Sequence, residues 1–374
     1  MANLKTRIQS GGLLALVLLC ASSAAGAATP KQPLIGARAI SMGGAFTAVG
    51  SDASAAHWNP AALASLQRQE LTFTYADRYG LGLNHSYLGY SLPLRDNHAM
   101  GLDWFYRGFD DAELGYRQSK FGFAYGYRNG IARLRPYLGN ASIGLSAKYL
   151  SQETDLDGRN LMTASGWGLD LGLLVPLPWG LRLGFVAQDL GGTALEHENG
   201  LSETVFDAHY RFGLAYKPLE GMLLAADLDD ELRLGGEYWF RGQLAVRAGM
   251  HTELDSPESF GDATTASFGL GIKYRFAQLD YAYERHPVLA PTHYTALSLA
   301  YNPRVVTVKD ATIRPNPIFR SLYRHYQEKE FFDVVIGNSA TEPIEATVSL
   351  MLPKVMSVPH QEQIILPPDR KSVV

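Results

Sequence analysis

Between Phe268 and Phe276 every second residue is large and apolar: Phe268, Leu270, Ile272, Tyr274 and Phe276. Ser267, Gly269, Gly271, Lys273 and Arg275 occupy the alternate positions. A two-residue period puts the two sets on opposite faces of a strand, where a 3.6-residue period would mark a helix. The pattern recurs. Phe121, Phe123, Tyr125 and Tyr127 alternate with Lys120, Gly122, Ala124, Gly126 and Arg128, and Trp167, Leu169, Leu171 and Leu173 with Gly166, Gly168, Asp170 and Gly172. Ile143, Leu145, Ala147, Tyr149 and Leu181, Leu183, Phe185 are further copies. A soluble sandwich buries its apolar face and shows Lys, Glu and Thr on the other. Here the other face is mostly glycine, which weakens a strand and gives a core nothing to pack. An apolar face turned to lipid and a small, polar face turned to a lumen account for both features.

Fourteen such segments are predicted: 69 to 77, 83 to 93, 97 to 107, 118 to 128, 138 to 153, 164 to 175, 179 to 189, 206 to 217, 221 to 229, 231 to 241, 242 to 252, 265 to 276, 277 to 285 and 292 to 301. An even number suits closure of a bacterial transmembrane β-barrel. Connections after odd-numbered strands are mostly long (108 to 117, 154 to 163, 190 to 205, 253 to 264) and those after even-numbered strands mostly short, the alternation of outer loops and periplasmic turns. The segment 129 to 137 and the tight join near Asp230 break that rule. Trp104, Tyr127, Trp179, Trp239, Tyr274 and Tyr301 near strand ends are expected to form the interfacial aromatic girdles.

The first residues predict export. Lys5 and Arg7 precede an apolar run from Leu13 to Cys20, and Ala25-Gly26-Ala27-Ala28 offers small residues for cleavage, so residues 1–28 read as a signal peptide. Leu19 is a poor lipobox residue, and Cys20, the only cysteine, leaves with the leader. The formal charge of −4 becomes −6 when Lys5 and Arg7 go, which lacks the basic excess of a nucleic-acid binder. At 46% hydrophobic and 19% charged the chain is too apolar for disorder.

Residues 29–68 differ in kind, rich in Gly, Ala and Ser with Met42, Phe46, Val49, Trp58 and Leu63 as apolar anchors. Three blocks stand in order: Gly36-Ala37-Arg38-Ala39 through Met42-Gly43-Gly44-Ala45-Phe46, then Asp52-Ala53-Ser54-Ala55, then Trp58-Asn59-Pro60-Ala61-Ala62-Leu63. Together with the strands, over residues 30 to 302, they resemble the N-terminal signature of FadL-like outer-membrane proteins, and most closely the PorV/PorQ branch. The resemblance implies that this segment folds into the barrel as a hatch and that Asn59, Pro60 and Ala61 mark its return to the wall. Gly43, Gly44, Phe46, Asn59, Pro60 and Ala61 are thus the expected hatch motif, structural or gating in role. Pro60 stops a helix and restricts Asn59 to extended geometry, and the Asn59 amide is suited to satisfying backbone groups at the turn.

PorV/PorQ-type members resemble accessory or anchor components of protein secretion and surface assembly. FadL itself resembles a conduit for long-chain fatty acids and other hydrophobic compounds, with an apolar pocket near the hatch. The loop from Leu190 to Val205 lacks a run of bulky apolar residues for lipid capture, which tilts the expectation toward the accessory role and leaves transport as the alternative. The partners implied are outer-membrane lipid, the barrel-assembly machinery during insertion, and secretion-system or periplasmic envelope proteins. In the alternative the partner is a hydrophobic small molecule.

Lys148, Asp170, Arg182, Arg211, Lys273 and Arg275 fall on the predicted inner face as lumen charges. Of the ten His, His209, His251 and His293 sit in or beside predicted strands without HExxH or i, i+4 spacing, and Gly-x-Ser-x-Gly is absent. The acid clusters Asp110, Asp111, Glu113 and Asp227, Asp229, Asp230, Glu231 lack Asp-x-Asp-x-Asp-Gly spacing. No catalytic residue, metal ligand or cofactor is assigned, and a non-enzymatic protein is expected. Residues 303–332 read as a basic, irregular linker in which Phe319, Leu322, Tyr323 and Tyr326 have helical spacing. Residues 333–374 read as the start of an Ig-like or CARDB-like β-sandwich on the periplasmic side, cut short after three or four strands.

Overall fold

The computed structural model describes residues 32–301 apart from 95–96, 112, 129–139, 198–201 and 255–263, together with 306–313, 332–338, 344–350, 360–366 and 371–373. The signal peptide, the Phe319–Tyr326 segment and the connection 129 to 137 lie outside these residues. No described helix is long and apolar enough to cross a membrane.

The chain divides into two units, Met1–Tyr301 and Asn302–Val374. In the first, one antiparallel sheet closes on itself. Its strands are β1 (Gln69–Arg78), β2 (Leu83–Pro93), β3 (His98–Asp110), β4 (Leu114–Arg128), β5 (Ser142–Leu156), β6 (Arg159–Pro176) and β7 (Leu181–Gln188), then the hairpin β8 (Thr193–His197) and β9 (Ser202–Phe206). They continue with β10 (His209–Tyr216), β11 (Met222–Leu228), β12 (Glu231–Phe240), β13 (Leu244–Glu253), β14 (Thr264–Tyr274), β15 (Ala277–Arg285) and β16 (Thr292–Tyr301). Fourteen of the sixteen form the wall, with β7 paired directly to β10 and β1 to β16 from Gln69↔Tyr301 onward. Both ends of the barrel therefore lie at one rim, called the near rim below.

The faces are sorted as the alternation predicts. Phe268, Leu270 and Ile272 are exposed, as are Phe121, Phe123, Leu169 and Leu171, and Trp167 keeps 70% of its surface. So large a continuous apolar band is stable only against lipid. Two girdle expectations need qualification. Trp179 sits at the β6–β7 turn with 85% exposure, whereas Trp239 has the inward parity of Glu237 and packs under the Arg247 guanidinium, 5.5 Å from its ring.

The predicted long connections 108 to 117 and 154 to 163 are largely strand. β3 and β4 stay paired out to Asp110↔Gly115, and β5 and β6 to Leu156↔Arg159. Beyond the lipid both faces of a strand are wetted, so it loses the apolar alternation by which it is read. The expected loop 190 to 205 folds as the β8–β9 hairpin, whose Leu195 and Phe206 cluster with Leu150 and Ala164.

The second unit holds β17 (Val306–Ile313), β18 (Phe332–Asn338), β19 (Ile344–Leu350), β20 (His360–Leu366) and β21 (Lys371–Val373). They form a β17-β18-β21 sheet and a β19-β20 pair around Val334, Ile336 and Leu366. β17 corrects the irregular linker expected over 303–332: its Val306-Thr307-Val308 alternation is short and glycine-free, unlike the barrel strands.

Candidate functional site: the hatch and the lumen

A barrel of about eight strands can fill its interior with its own side chains; fourteen leave a space that something else must occupy. Residues 32 to 68 occupy it. They contain α1 (Ala37–Ser41), α2 (Ala55–Trp58) and a 3-10 helix (Pro60–Ser65), and most of their residues are wholly buried. After α1 the chain reverses at Gly43 and Gly44, both at positive φ (65° and 76°). A Cβ on Gly43 would also lie 2.5 Å from the backbone of Met250, so glycine is required there twice over. Phe46 and Trp58, both fully buried, pack at 5.9 Å between ring centroids.

Asn59 joins the hatch to itself and to the wall. Its Oδ1 accepts from Ala61 N (3.1 Å), capping the 3-10 helix, while Nδ2 donates to Thr47 O (2.9 Å) and to Leu173 O of β6 (3.2 Å). Pro60 starts that helix where no N–H is needed. Pro60 and Ala61 rest on wall glycines: a Cβ on Gly144 would come 2.2 Å from Ala61 N and Pro60 C, and one on Gly172 2.2 Å from Asn59 Oδ1. Gly184 and Gly213 receive Thr47 in the same way, Gly235 and Gly249 receive Met42, and Gly269 receives Ser41. These inward glycines are thus a seat shaped to the hatch, while others, such as Gly122 and Gly271, make room for the lumen side chains Asp103 and Arg247.

Directional bonds hold the hatch on this seat. Asp227 accepts from the amides of Phe46 and Thr47, both at 2.9 Å. Arg38 forks onto Glu237 at 2.8 and 2.6 Å and reaches Asp52 at 3.0 Å. Glu237 also takes Arg247, which binds Asp280. Burial alone would lower the pKa of Arg38, but Glu237 and Asp52 outweigh it and hold the guanidinium above its ordinary range. On the other flank Asp103 pairs with Lys120 at 2.9 Å, and Lys120 donates to His57 Nδ1 at 2.6 Å. With Nδ1 accepting, Nε2 carries the hydrogen and donates to Pro33 O (3.2 Å). Burial first, then Lys120, Lys148 and Arg211, push the His57 pKa well below its ordinary value.

Of the expected lumen charges, Lys148 pairs with Asp170 (2.7 Å) and Asp189 (2.9 Å), and all three are buried. Arg211 is buried on Asp229 (2.7 Å) and faces the Trp58 ring. Arg182 donates to Val49 O (3.2 Å). Lys273 lines a cavity described below. Arg275 is a correction: at φ 53° it occupies the β14–β15 turn, exposed and lying over the Tyr274 ring, because the strand's parity ends at Tyr274. Of the acid cluster, Asp227 anchors the hatch and Asp229 takes Arg211 and Arg233. Arg38, His57, Lys120, Glu237 and Arg247 were not singled out, although inward parity marks the last three.

His209, Asp229 and Asp230 bring ligand-type atoms within 4.8 Å. Asp229 already neutralises Arg211 and Arg233; burial would raise its pKa, and Arg211, His209 and Arg233 hold it well below the usual carboxylate range. His209 and Asp229 are in hydrogen-bond contact at 2.8 Å, and no Ser or Thr hydroxyl bonds to that pair among the described residues.

A cavity of about 180 Å³ is polar, bounded by Arg38 and Asp52 of the hatch and by Glu70, Trp239, Lys273 and Gln278 of the wall. An apolar cleft beside Leu34, Ile40, Tyr87 and Phe105 measures about 10 Å³, room for a single water. Phe46, where an apolar chamber would favour transport, is fully enclosed by protein.

No family model matches the sequence, and no curated protein sequence matches it. Among solved structures, the monoaromatic hydrocarbon channel CymD superposes with a TM-score of 0.53 at 17% identity, covering 72% of this chain and 97% of CymD. The Pseudomonas putida toluene transporter TodX gives 0.51 at 15%, covering 73% and 99%. A Pseudomonas aeruginosa FadL homologue gives 0.50 at 13%, covering 74% and 100%. At these identities the likeness is one of fold: a FadL-like fourteen-stranded barrel. None of these neighbours singles out the PorV/PorQ branch.

Proposed function

We propose that this chain is an outer-membrane channel for small hydrophobic compounds, closed at rest by its hatch. The supporting observation is that the match to this chain covers almost the whole length of hydrocarbon channels such as CymD and TodX. This was the alternative in the sequence reading, and the fold likeness now favours it over the secretion-accessory role. The apolar band fixes the membrane, and the signal sequence directs the chain across the inner one. The near rim, where the N-terminal segment enters, faces the periplasm. The protein carries out no bond chemistry.

One observation favours the accessory role: among the described residues the cavity beside the hatch is polar, and Phe46 is enclosed by protein rather than bordering an apolar chamber. The two readings differ in what the lumen admits. Cells lacking their own channels of this class and expressing the protein should accumulate labelled toluene or long-chain fatty acid faster than vector controls. Uptake at the vector rate, with stoichiometric envelope proteins and no enriched lipid in the detergent-extracted complex, would transfer the assignment to assembly.

A further inference from the structure

The two rims of the barrel differ in their balance of charge. At the far rim Arg117 pairs with Asp155 and Asp110, and Arg211 and Arg233 with Asp229, while Arg78, Arg107, Arg159 and Arg285 have no salt bridge to a described carboxylate but stand among the acids Asp77, Asp111, Glu113, Asp157 and Glu284. At the near rim Arg128, Arg182, Lys217, Arg241, Lys273 and Arg275 have no carboxylate within salt-bridge distance among the described residues. They stand at the connections after β4, β6, β10, β12 and β14, so the charge is spread around the perimeter. The nearby acids are Glu70, 3.9 Å from Arg68, Glu220, and Asp52, Glu237 and Asp280, the last three already paired with Arg38 and Arg247.

We infer that the near rim is a docking surface for an acidic, extended segment of a periplasmic protein. Unpaired like charges kept close together repel one another, and a polyanion removes that repulsion. A small anion would meet one or two of these cations, whereas a segment carrying several carboxylates matches their spread. Lipid headgroups lie outside the wall, but three of the six cations turn toward the mouth: Arg182 bonds Val49 O of the hatch, Arg128 bonds Ala64 O, and Lys273 lines the polar cavity. A segment docked there would touch the hatch itself. The inference takes from the proposed function only that this rim faces the periplasm.

The test uses the full chain in phosphatidylcholine nanodiscs and a fluorescein-labelled dodecaglutamate, read by fluorescence anisotropy, with a neutral Gly/Ser peptide of equal length as control. Saturable binding of the glutamate peptide is expected, weakening about tenfold between 50 and 200 mM salt. The triple variant Lys217→Gln, Arg241→Gln, Arg275→Gln changes only exposed turn residues and should weaken it about tenfold or more. Arg107→Gln, Arg117→Gln, Arg159→Gln at the far rim should leave it within about twofold. Folding of both is checked by heat-modifiable migration in gels. Absence of saturable binding, or equal loss in both triples, overturns the inference. Discs containing phosphatidylglycerol should retain binding within about threefold; abolition there would assign the cations to lipid and overturn it as well. Hydrocarbon uptake is measured separately, so failure of peptide binding leaves the channel reading standing, and the reverse.

Discussion

The glycine seat makes a sharp prediction at Gly144. A methyl group there would lie 2.2 Å from Ala61 N and Pro60 C, both backbone atoms that no side-chain rotation can move. Restoring ordinary contact near 3.5 Å requires the hatch to retreat by roughly 1 Å. The Asn59 bond to the wall at Leu173 O, 3.2 Å, then passes out of hydrogen-bond range or loses its alignment, while the bond to Thr47 O moves with the hatch. Leaving that buried contact unmade costs about 1–3 kcal/mol, so Gly144→Ala should weaken hatch seating by about that much, about fivefold or more in its equilibrium. Gly236→Ala is the control, because its Cβ would meet Leu224 at 3.5 Å, an ordinary contact. In planar bilayers the wild type and Gly236→Ala should stay near baseline ion conductance while Gly144→Ala shows frequent openings. Equal conductance from the two variants, with equal melting temperatures, would refute the idea that the wall glycines seat the hatch.

Asp227→Ala should orphan the Phe46 and Thr47 amides and raise their hydrogen-exchange rates, followed by mass spectrometry, by about tenfold or more, with Asp227→Asn intermediate. His57 gives a pH dependence whose sign follows from its depressed pKa. Above about pH 6.5 both the folded and unfolded forms are neutral, and below it only the unfolded chain gains the proton, so stability falls on acidification by up to about 1.4 kcal/mol per pH unit. Urea unfolding at pH 7.5 and 5.5 should show this loss, and His57→Gln should reduce it. In single-tryptophan variants, brominated lipid should quench Trp167 strongly and leave Trp239 and Trp58 bright, since the first faces lipid and the others face protein.

The barrel was legible in the sequence because lipid on one side and a packed lumen on the other impose opposite demands on alternate residues. Phe268 through Phe276 therefore announce both a strand and its orientation. The same parity placed Lys148, Asp170 and Arg211 inside, and it failed at Arg275 and at the far-rim extensions, where the chain leaves the environment that creates the pattern. What parity leaves open is why the inner face is glycine. Glycine at Gly144 or Gly249 reads as absence of a side chain, and its meaning appears only when the partner backbone, Pro60–Ala61 or Met42–Gly43, is set against it. The choice between the accessory and channel branches was harder still, because the cavity that separates them is formed by Arg38, Asp52, Glu70 and Lys273, residues far apart in sequence.

The same contacts predict where the hatch yields. Withdrawing the segment around Phe46 and Trp58 would orphan the amides held by Asp227 and expose two aromatic rings to the lumen. Withdrawing residues 51 to 54 costs less: Ser51 is already exposed, Asp52 borders the polar cavity, and the Ala53 amide holds Glu70 at a long 3.3 Å. The Ser54 amide bonds Asp52 within the same loop, a contact that travels with it. Opening should therefore begin beside the cavity, at the end of the hatch tethered by Arg38, and spread toward the Asn59 seat. Hydrogen exchange in detergent should show the 51–54 amides exchanging first, those of 42–47 and 61–63 last, with Arg38→Gln accelerating the first group more than the second. Uniform exchange across the hatch would mean that it leaves as one rigid body, and the graded anchoring argued from these bonds would be wrong.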